Sequence, residues 1–375
     1  MFLKHLELKN FRNYKDLKVD FESNITLITG KNAQGKTNLL EAIQFLAALN
    51  SPRAKTDNEF ILWGQNFASV SGFLSKDTND FELETIISPP KRKDLKVNGV
   101  KKSKSSEFIK YLSVVSFSVN DLLLLRGTPD DRRSWLDLAI SQIYPAYIDR
   151  IQKYNKIKIQ KNNFLKEIKG NLNANTDLLD ILNIQLSISG SNIIYLRLKF
   201  LKELLTLAQI KHSEIAENEY LTMIYNSKVL GDFDIVNDEI PETESISKIF
   251  ETKLNQRKQE EIIRAQSLVG PHRDDITFMI NNIEAKKYAS QGQQRTIVLS
   301  LKLSELNLIE TKINEKPLLL LDDVLAELDD IRQGYLLDAI GSETQTIITS
   351  VDTLQFKESY LEKVDILKIK DGNLC

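Results

Sequence analysis

The sequence predicts an α/β protein, a mixed sheet with a β-meander that carries a mostly helical lobe inserted in its middle. Three observations predict it. A strand, a glycine-containing loop and a helix follow one another in "ITLITGKNAQGKTNLLEAI" near the N-terminus. Two unalternating apolar runs near the other end, "KPLLLLDD" and "QTIITSV", suit central parallel strands covered on both faces. Between them the texture turns helical from about residue 126. The expected division is therefore 1–125 with 265–375 as one domain and 126–264 as the inserted lobe.

The elements follow in order. "FLKHLELKNF" and "NITLITG" have strand-like patterns, and "KTNLLEAIQFLAAL" puts Leu39, Leu40, Ile43, Leu46 and Ala47 on one helical face. "FASVSGFL", "FELETIIS" and "DLKVNG" form the meander, with Asn98-Gly99 as a hairpin turn. "YLSVVSFS" is a further strand. Ile143, Tyr147, Ile151, Tyr154 and Ile157 then recur at three- and four-residue steps. Thr176 or Asp177 caps the longest periodic run, 178–216, and "YLTMIYN" and a helix over 244–266 follow. "DDITFMINNIEAKKYA" returns to strands around an Asn281-Asn282 turn.

The chain has 375 residues, 42% hydrophobic and 27% charged, with 50 Lys and Arg against 52 Asp and Glu. A net charge of −2 gives no global basic field, so binding to nucleic acid requires a local patch. The one cysteine, Cys375, excludes a disulfide framework. The opening residues carry charges every few positions without an apolar segment, and no apolar run approaches the ~20 residues that span a bilayer. The expected location is cytoplasmic, with no membrane partner. His5, His212 and His272 form no metal-binding cluster, and His272 reads as a core histidine.

Gly30-Lys31-Asn32-Ala33-Gln34-Gly35-Lys36-Thr37 matches G-x-x-x-x-G-K-[ST] in full, between a strand and a helix as that motif requires. Glycine lets backbone N–H groups wrap phosphate oxygens, and the helix start adds its partial positive charge. Lys36 is placed for the β- and γ-phosphates, and the Thr37 hydroxyl for Mg²⁺; Asn38 lies in the first helical turn of this nucleotide site. The run "LLLLDD" delivers Asp322 and Asp323 at the C-terminal end of a buried strand, where ligands bind in open α/β sheets. Asp322 is the candidate Mg²⁺ ligand, and Asp323 the residue that orients or deprotonates the attacking water.

About 30 residues before those carboxylates, "SQGQQR" (290–295) opens a helix. Phosphate loop, insertion, Ser-Gly-Gln signature and paired carboxylates in this order resemble the ABC-type P-loop ATPase head. In that family the signature closes over the γ-phosphate held by a second protomer. The resemblance implies that Ser290 donates its hydroxyl, Gly292 allows close backbone approach, Gln293 belongs to the same trans signature, and the first N–H groups of the helix stay open for the partner's nucleotide. It also implies a D-loop role for Asp329 in "AELD". In the switch strand "TIITSVD", Ser350 stands where a histidine is usual with Thr349 before it, so that either hydroxyl is the candidate γ-phosphate sensor, and a weak, DNA-dependent ATPase is expected.

"LELKNFRNY", "GTPDDRRSWLD" (127–137) and "GPHRDD" (270–275) narrow the likeness: the whole chain resembles the RecF family of recombination mediators, in the SMC-like branch. By resemblance Arg12 reaches the nucleotide phosphates. Asn120, where Pro-Glu is usual after "VVSFS", takes the Q-loop part beside Mg²⁺, and Arg273 pairs with a nearby aspartate. The resemblance implies ATP and Mg²⁺ as cofactors and an ATP-driven homodimer that clamps DNA at single-strand/duplex junctions. It implies RecR and RecO as partners in loading recombinase on gapped DNA, and support of SOS induction. Two basic stretches are the candidate DNA contacts: a hairpin with Lys91, Arg92 and Lys93, and a helix with Lys153, Lys156, Lys158 and Lys161. A transporter subunit, an SMC head with long arms and a small-molecule kinase or GTPase are the competing readings. The insertion is too large for the first and too short for the second, and no N-K-x-D guanine signature supports the last.

Overall fold

The computed structural model describes residues 1–76, 79–170, 175–340, 343–353, 356, 361, 364–370 and 372–375. The chain divides into two compact units, Met1–Leu122 with Glu305–Cys375, and Leu123–Ser304.

Among the described residues the first unit holds two six-stranded sheets. One runs in the order Asn373–Leu374, Asp365–Lys370, Ile25–Thr29, Thr346–Ser350, Leu318–Asp322, Val114–Ser118, parallel except at its outermost pair. Its central strands are apolar on both faces: Leu318, Leu319, Leu320 and Leu321 are all buried, as is every residue of Thr346–Ser350. That is why they read as continuous runs. Asp322 lies in register with Thr349 on one side and Ser118 on the other, so the polar ends of these strands meet at one edge. The helix Lys36–Ala48 buries Leu39, Leu40, Ile43, Leu46 and Ala47 against this framework.

The second sheet is an antiparallel meander in the order Tyr14–Asp20, Phe2–Phe11, Ala68–Lys76, Asn79–Ile87, Asp94–Val97, Val100–Lys102. Asn98 and Gly99 both take positive φ, as the hairpin turn requires. Phe45 of the helix packs 4.6 Å from Phe60 and 6.0 Å from Phe11 of the meander. Such ring pairs add about 0.5–1.5 kcal/mol each beyond their burial. Gln345 ties the two sheets, its side chain accepting from Leu3 N at 2.7 Å and donating to Leu3 O at 2.8 Å.

The second unit contains the helices Pro129–Ile143, Ala146–Ile168, Asp177–Ile215 and Thr243–Arg264. Pro145 separates the first two. At Asp177–Ile215 the capping bond comes from Asn175 Oδ1, which accepts from Asp177 N at 2.8 Å. An antiparallel sheet orders Gly231–Asp234, Leu221–Ser227, Asp275–Ile280 and Ile283–Glu284, with Asn281 and Asn282 at positive φ in its last turn. The boundaries read from sequence were 126 and 264, whereas the compact units divide at Leu123 and Ser304. Pairing of 221–227 with 275–280 is what groups the later strands with the helices. No described helix is long and apolar enough to cross a membrane.

Candidate nucleotide and cation site

The strand Ile25–Thr29 ends at Gly30, and the helix Lys36–Ala48 opens on Gly35, which takes φ 114°. A Cβ on Gly35 would stand 2.7 Å from the Tyr14 hydroxyl and 2.7 Å from Asn13 Nδ2, so "FRNY" packs under the loop and only glycine fits above it. Among the described residues no side chain caps this helix. Its first-turn amides are the unpaired donors that an anion can take. Lys36 is buried, with Nζ held 2.6 Å from Gly30 O and 3.3 Å from Lys31 O. Asn38 donates to Asn13 Oδ1 at 2.8 Å.

The helix start and the strand edge converge on one carboxylate. Asp322 Oδ1 accepts from Thr37 Oγ1 at 3.0 Å and from Thr349 Oγ1 at 2.8 Å, and Thr349 Oγ1 in turn accepts from Asp323 N at 3.0 Å. Asp323 is half-buried at φ 52°. Burial pushes its carboxyl above the usual range, Lys36 pulls it back, and Asp322 adds to the rise. Hydroxyl and carboxylate oxygens side by side are the hard donors that Mg²⁺ prefers, and it keeps its remaining positions for water and phosphate. No group of three or more His, Cys, Asp or Glu among the described residues could hold a metal alone. Lys36, Thr37, Asp322 and the open amides thus fit a Mg²⁺–nucleotide.

Other residues expected at the site lie differently. Arg12 donates to Glu41 at 2.9 and 2.6 Å and to Glu59 O at 2.7 Å. Arg53, which the sequence reading missed, shares the buried Glu41 at 2.9 Å and also donates to Asn38 Oδ1. Asn120 is exposed in a short 3₁₀ turn, Val119–Leu122. Of the two switch candidates Thr349 holds Asp322, while Ser350 donates to Asp352 O at 2.7 Å.

In the second unit Ser290 precedes the helix Gln291–Ile313. The first turn expected to stay open is closed here. Gln293 N donates to Ser290 Oγ at 3.2 Å and Ser290 N donates to Gln293 Oε1 at 2.8 Å. Ser and Gln three residues apart form a capping box, which satisfies two donors reciprocally. Gln293 Nε2 also donates to Glu219 Oε1 at 2.8 Å. In the first unit Asp329 caps Asp330–Ile340, accepting from Arg332 N at 3.0 Å.

The basic stretches separate on burial. Lys91, Arg92, Lys153 and Lys156 are exposed. Lys93 is spent on Asp57 at 2.7 Å. Lys158 is half-buried and lines a cavity. Lys161 cannot contact DNA as expected: it is wholly buried, with Nζ 2.7 Å from Glu261 Oε2, itself wholly buried. Arg273 bonds the carbonyl of Ser267 rather than an aspartate.

The sequence pattern of the RecF/RecN/SMC N terminal domain family matches residues 2–373. The chain is 38% identical over 378 aligned residues to the DNA replication and repair protein RecF of Bacillus thuringiensis (strain Al Hakam), covering 100% of this chain and 98% of the relative. RecF of Bacillus cereus (strain B4264) is as similar. Among solved structures, the recombination mediator protein RecF with ATP, in the RecFOR pathway, superposes with a TM-score of 0.89 at 34% identity, covering 100% of this chain and 97% of that one. An Smc head bound to the C-terminal winged-helix domain of ScpA shares the fold alone, with a TM-score of 0.53 at 15% identity. The fold is that of an ABC-type ATPase head with a helical lobe, and the chain belongs to the RecF family.

Proposed function

We propose that this chain is an ATP-dependent DNA-binding protein of DNA replication and recombinational repair. The observation that carries the reading is the convergence of the Thr37 and Thr349 hydroxyls on Asp322, with Thr349 held in turn by the Asp323 amide, beside a phosphate loop whose first helical turn is uncapped. Bound Mg²⁺ would supply charge neutralisation on the phosphates. Lys36 would hold the β- and γ-phosphates, Thr37 and Asp322 would hold the cation, Asp323 would orient or deprotonate the attacking water, and Asn120 would take the Q-loop part beside the cation.

ATP binding drives head-to-tail dimerisation. Ser290, Gly292 and Gln293 close over the nucleotide of a second copy, with Asp329 at the same interface. The dimer holds DNA at single-strand/duplex junctions through exposed basic residues such as Lys91, Arg92, Lys153 and Lys156, and slow hydrolysis releases it. RecR, with RecO, joins it in loading recombinase on gapped DNA in the cytoplasm, a step that supports SOS induction.

Sedimentation velocity tests the core of this reading. Asp323→Asn is expected to shift from monomer to dimer only with ATP and Mg²⁺, and Ser290→Arg to abolish the shift. A chain that binds ATP tightly and stays monomeric at every concentration would overturn the sandwich.

A further inference from the structure

Two charged motifs that the nucleotide chemistry leaves unused, "GTPDDRRSWLD" and "GPHRDD", meet in the second unit around one cavity of about 320 Å³. The helix Pro129–Ile143 brings Asp130, Arg133 and Asp137 to its wall, and Ala146–Ile168 brings Tyr154 and Lys158. Arg197 comes from Asp177–Ile215, and His272 and Arg273 from the turn after Gly270.

The wall is built rather than fortuitous. His272 Nε2 lies 3.3 Å from Ser267 O, which can only accept, so Nε2 carries the ring proton. Nδ1 therefore accepts from the Tyr154 hydroxyl at 2.7 Å. Burial first, and then Lys158, drives the His272 pKa down to about 3, so the ring is neutral. Gly270 takes φ 130°, and a Cβ there would stand 2.3 Å from the Tyr154 hydroxyl oxygen. Buried Arg197 donates to Asp137 at 3.0 and 2.9 Å and to Pro271 O at 2.7 Å.

The charges do not balance. Arg197 is matched by Asp137, and Arg133 by Asp130 at 2.5 Å. Lys158 and Arg273 remain. Arg273 bonds Ser267 O and Gln266 Oε1, neither of them charged. Lys158, half-buried, has no hydrogen bond or ion pair among the described residues. Burial lowers its ammonium pKa, and Arg273 and Arg133 lower it further against a smaller opposing pull from Asp130. Two excess cations held together by a satisfied framework are costly unless an anion joins them.

We propose that this cavity is a phosphate-binding site in which Lys158 and Arg273 are the charged ligands. A phosphate group matches the two unbalanced charges, and Ser134 and Asn155 add a hydroxyl and an amide to the same wall. The group could come as a free phosphate or from the backbone of a nucleic acid. The site is separate from the phosphate loop, so it stands or falls independently of the ATP reading.

The test uses the full chain carrying Lys36→Ala, which removes the phosphate loop's charged ligand and leaves it only backbone amides. Calorimetric titration with pyrophosphate is expected to show saturable binding. Adding Lys158→Met or Arg273→Gln should weaken it roughly tenfold or more, the scale of one charge-assisted bond. Lys158→Arg should restore it. Anisotropy with a short labelled duplex separates the sources. If pyrophosphate displaces the duplex and Lys158→Met weakens duplex binding, the backbone is the ligand; if duplex binding is indifferent to both, the free anion is. Absence of pyrophosphate binding, or binding equal in the parent and in both Lys158→Met and Arg273→Gln, would overturn the site.

Discussion

Thr37 Oγ1 donates to Asp322 Oδ1 at 3.0 Å, across 285 positions of sequence. A helix start and a strand end thus present a hydroxyl and a carboxylate to the same point. Preorganisation of this kind lowers the ordering cost of binding.

The first prediction concerns that pair. Asp322→Ala removes the carboxylate while leaving Lys36 and the open amides in place. Affinity for ATP in the presence of Mg²⁺ should fall by about tenfold or more. Affinity measured in EDTA should change little. Titration of a fluorescent ATP analogue under both conditions checks it, and an equal loss with and without Mg²⁺ would mean that Asp322 acts on the loop rather than the cation.

Asp323 supplies the second. Its carboxyl is raised chiefly by burial, so the folded state disfavours its ionised form. The resulting destabilisation is absent below the ordinary carboxylate range and grows as pH rises through the raised pKa. Asp323→Asn should therefore unfold at a higher temperature than the wild type at neutral pH, with the gain vanishing at acidic pH. Hydrolysis by the wild type should fall on acidification with a midpoint above the ordinary aspartate value. Thermal scans and a pH–rate profile test the two halves separately.

The site was legible in the sequence where its chemistry is local. The phosphate loop is one continuous octapeptide, and Asp322 and Asp323 end a run of four leucines whose lack of alternation marks a central strand. What was not legible depends on partners distant in sequence. Arg12 reads as a phosphate contact until the fold brings Glu41 against it. Residues 275–280 join the second unit because they pair with 221–227, and no local pattern announces that partnership. Ser290 and Gln293 did carry a visible signal for the bond they make, since Ser and Gln at this spacing are a capping box as readily as a signature. Lys161 also left a trace. Tyr154, Ile157, Leu165 and Ile168 are buried at helical spacing, and Lys161 falls on the same stripe.

That buried lysine gives the third prediction. Lys161→Ala leaves the Glu261 carboxylate buried and uncompensated, which should cost about 3–5 kcal/mol. Lys161→Met combined with Glu261→Gln should recover most of the loss, because glutamine keeps an acceptor where Glu261 Oε1 receives Leu268 N at 2.8 Å. Urea unfolding followed by circular dichroism measures both. DNA affinity of the double variant should match the wild type, since neither side chain reaches the surface.

The capping box at Ser290 allows the last prediction to separate two roles of one hydroxyl. At an N-cap, Ser→Ala costs about 1 kcal/mol but Ser→Gly only a few tenths, because glycine leaves the amide open to water. Without nucleotide, Ser290→Gly should therefore unfold close to the wild type and Ser290→Ala measurably earlier. ATP-dependent association makes no such distinction, since both variants lack the hydroxyl that a partner's phosphate would meet. In the Asp323→Asn background both should lose dimer to a similar extent by sedimentation velocity. If dimerisation instead tracked stability, with glycine near normal and alanine impaired, Ser290 would be a cap alone, and the contact with the partner's nucleotide would have to come from the backbone of the turn.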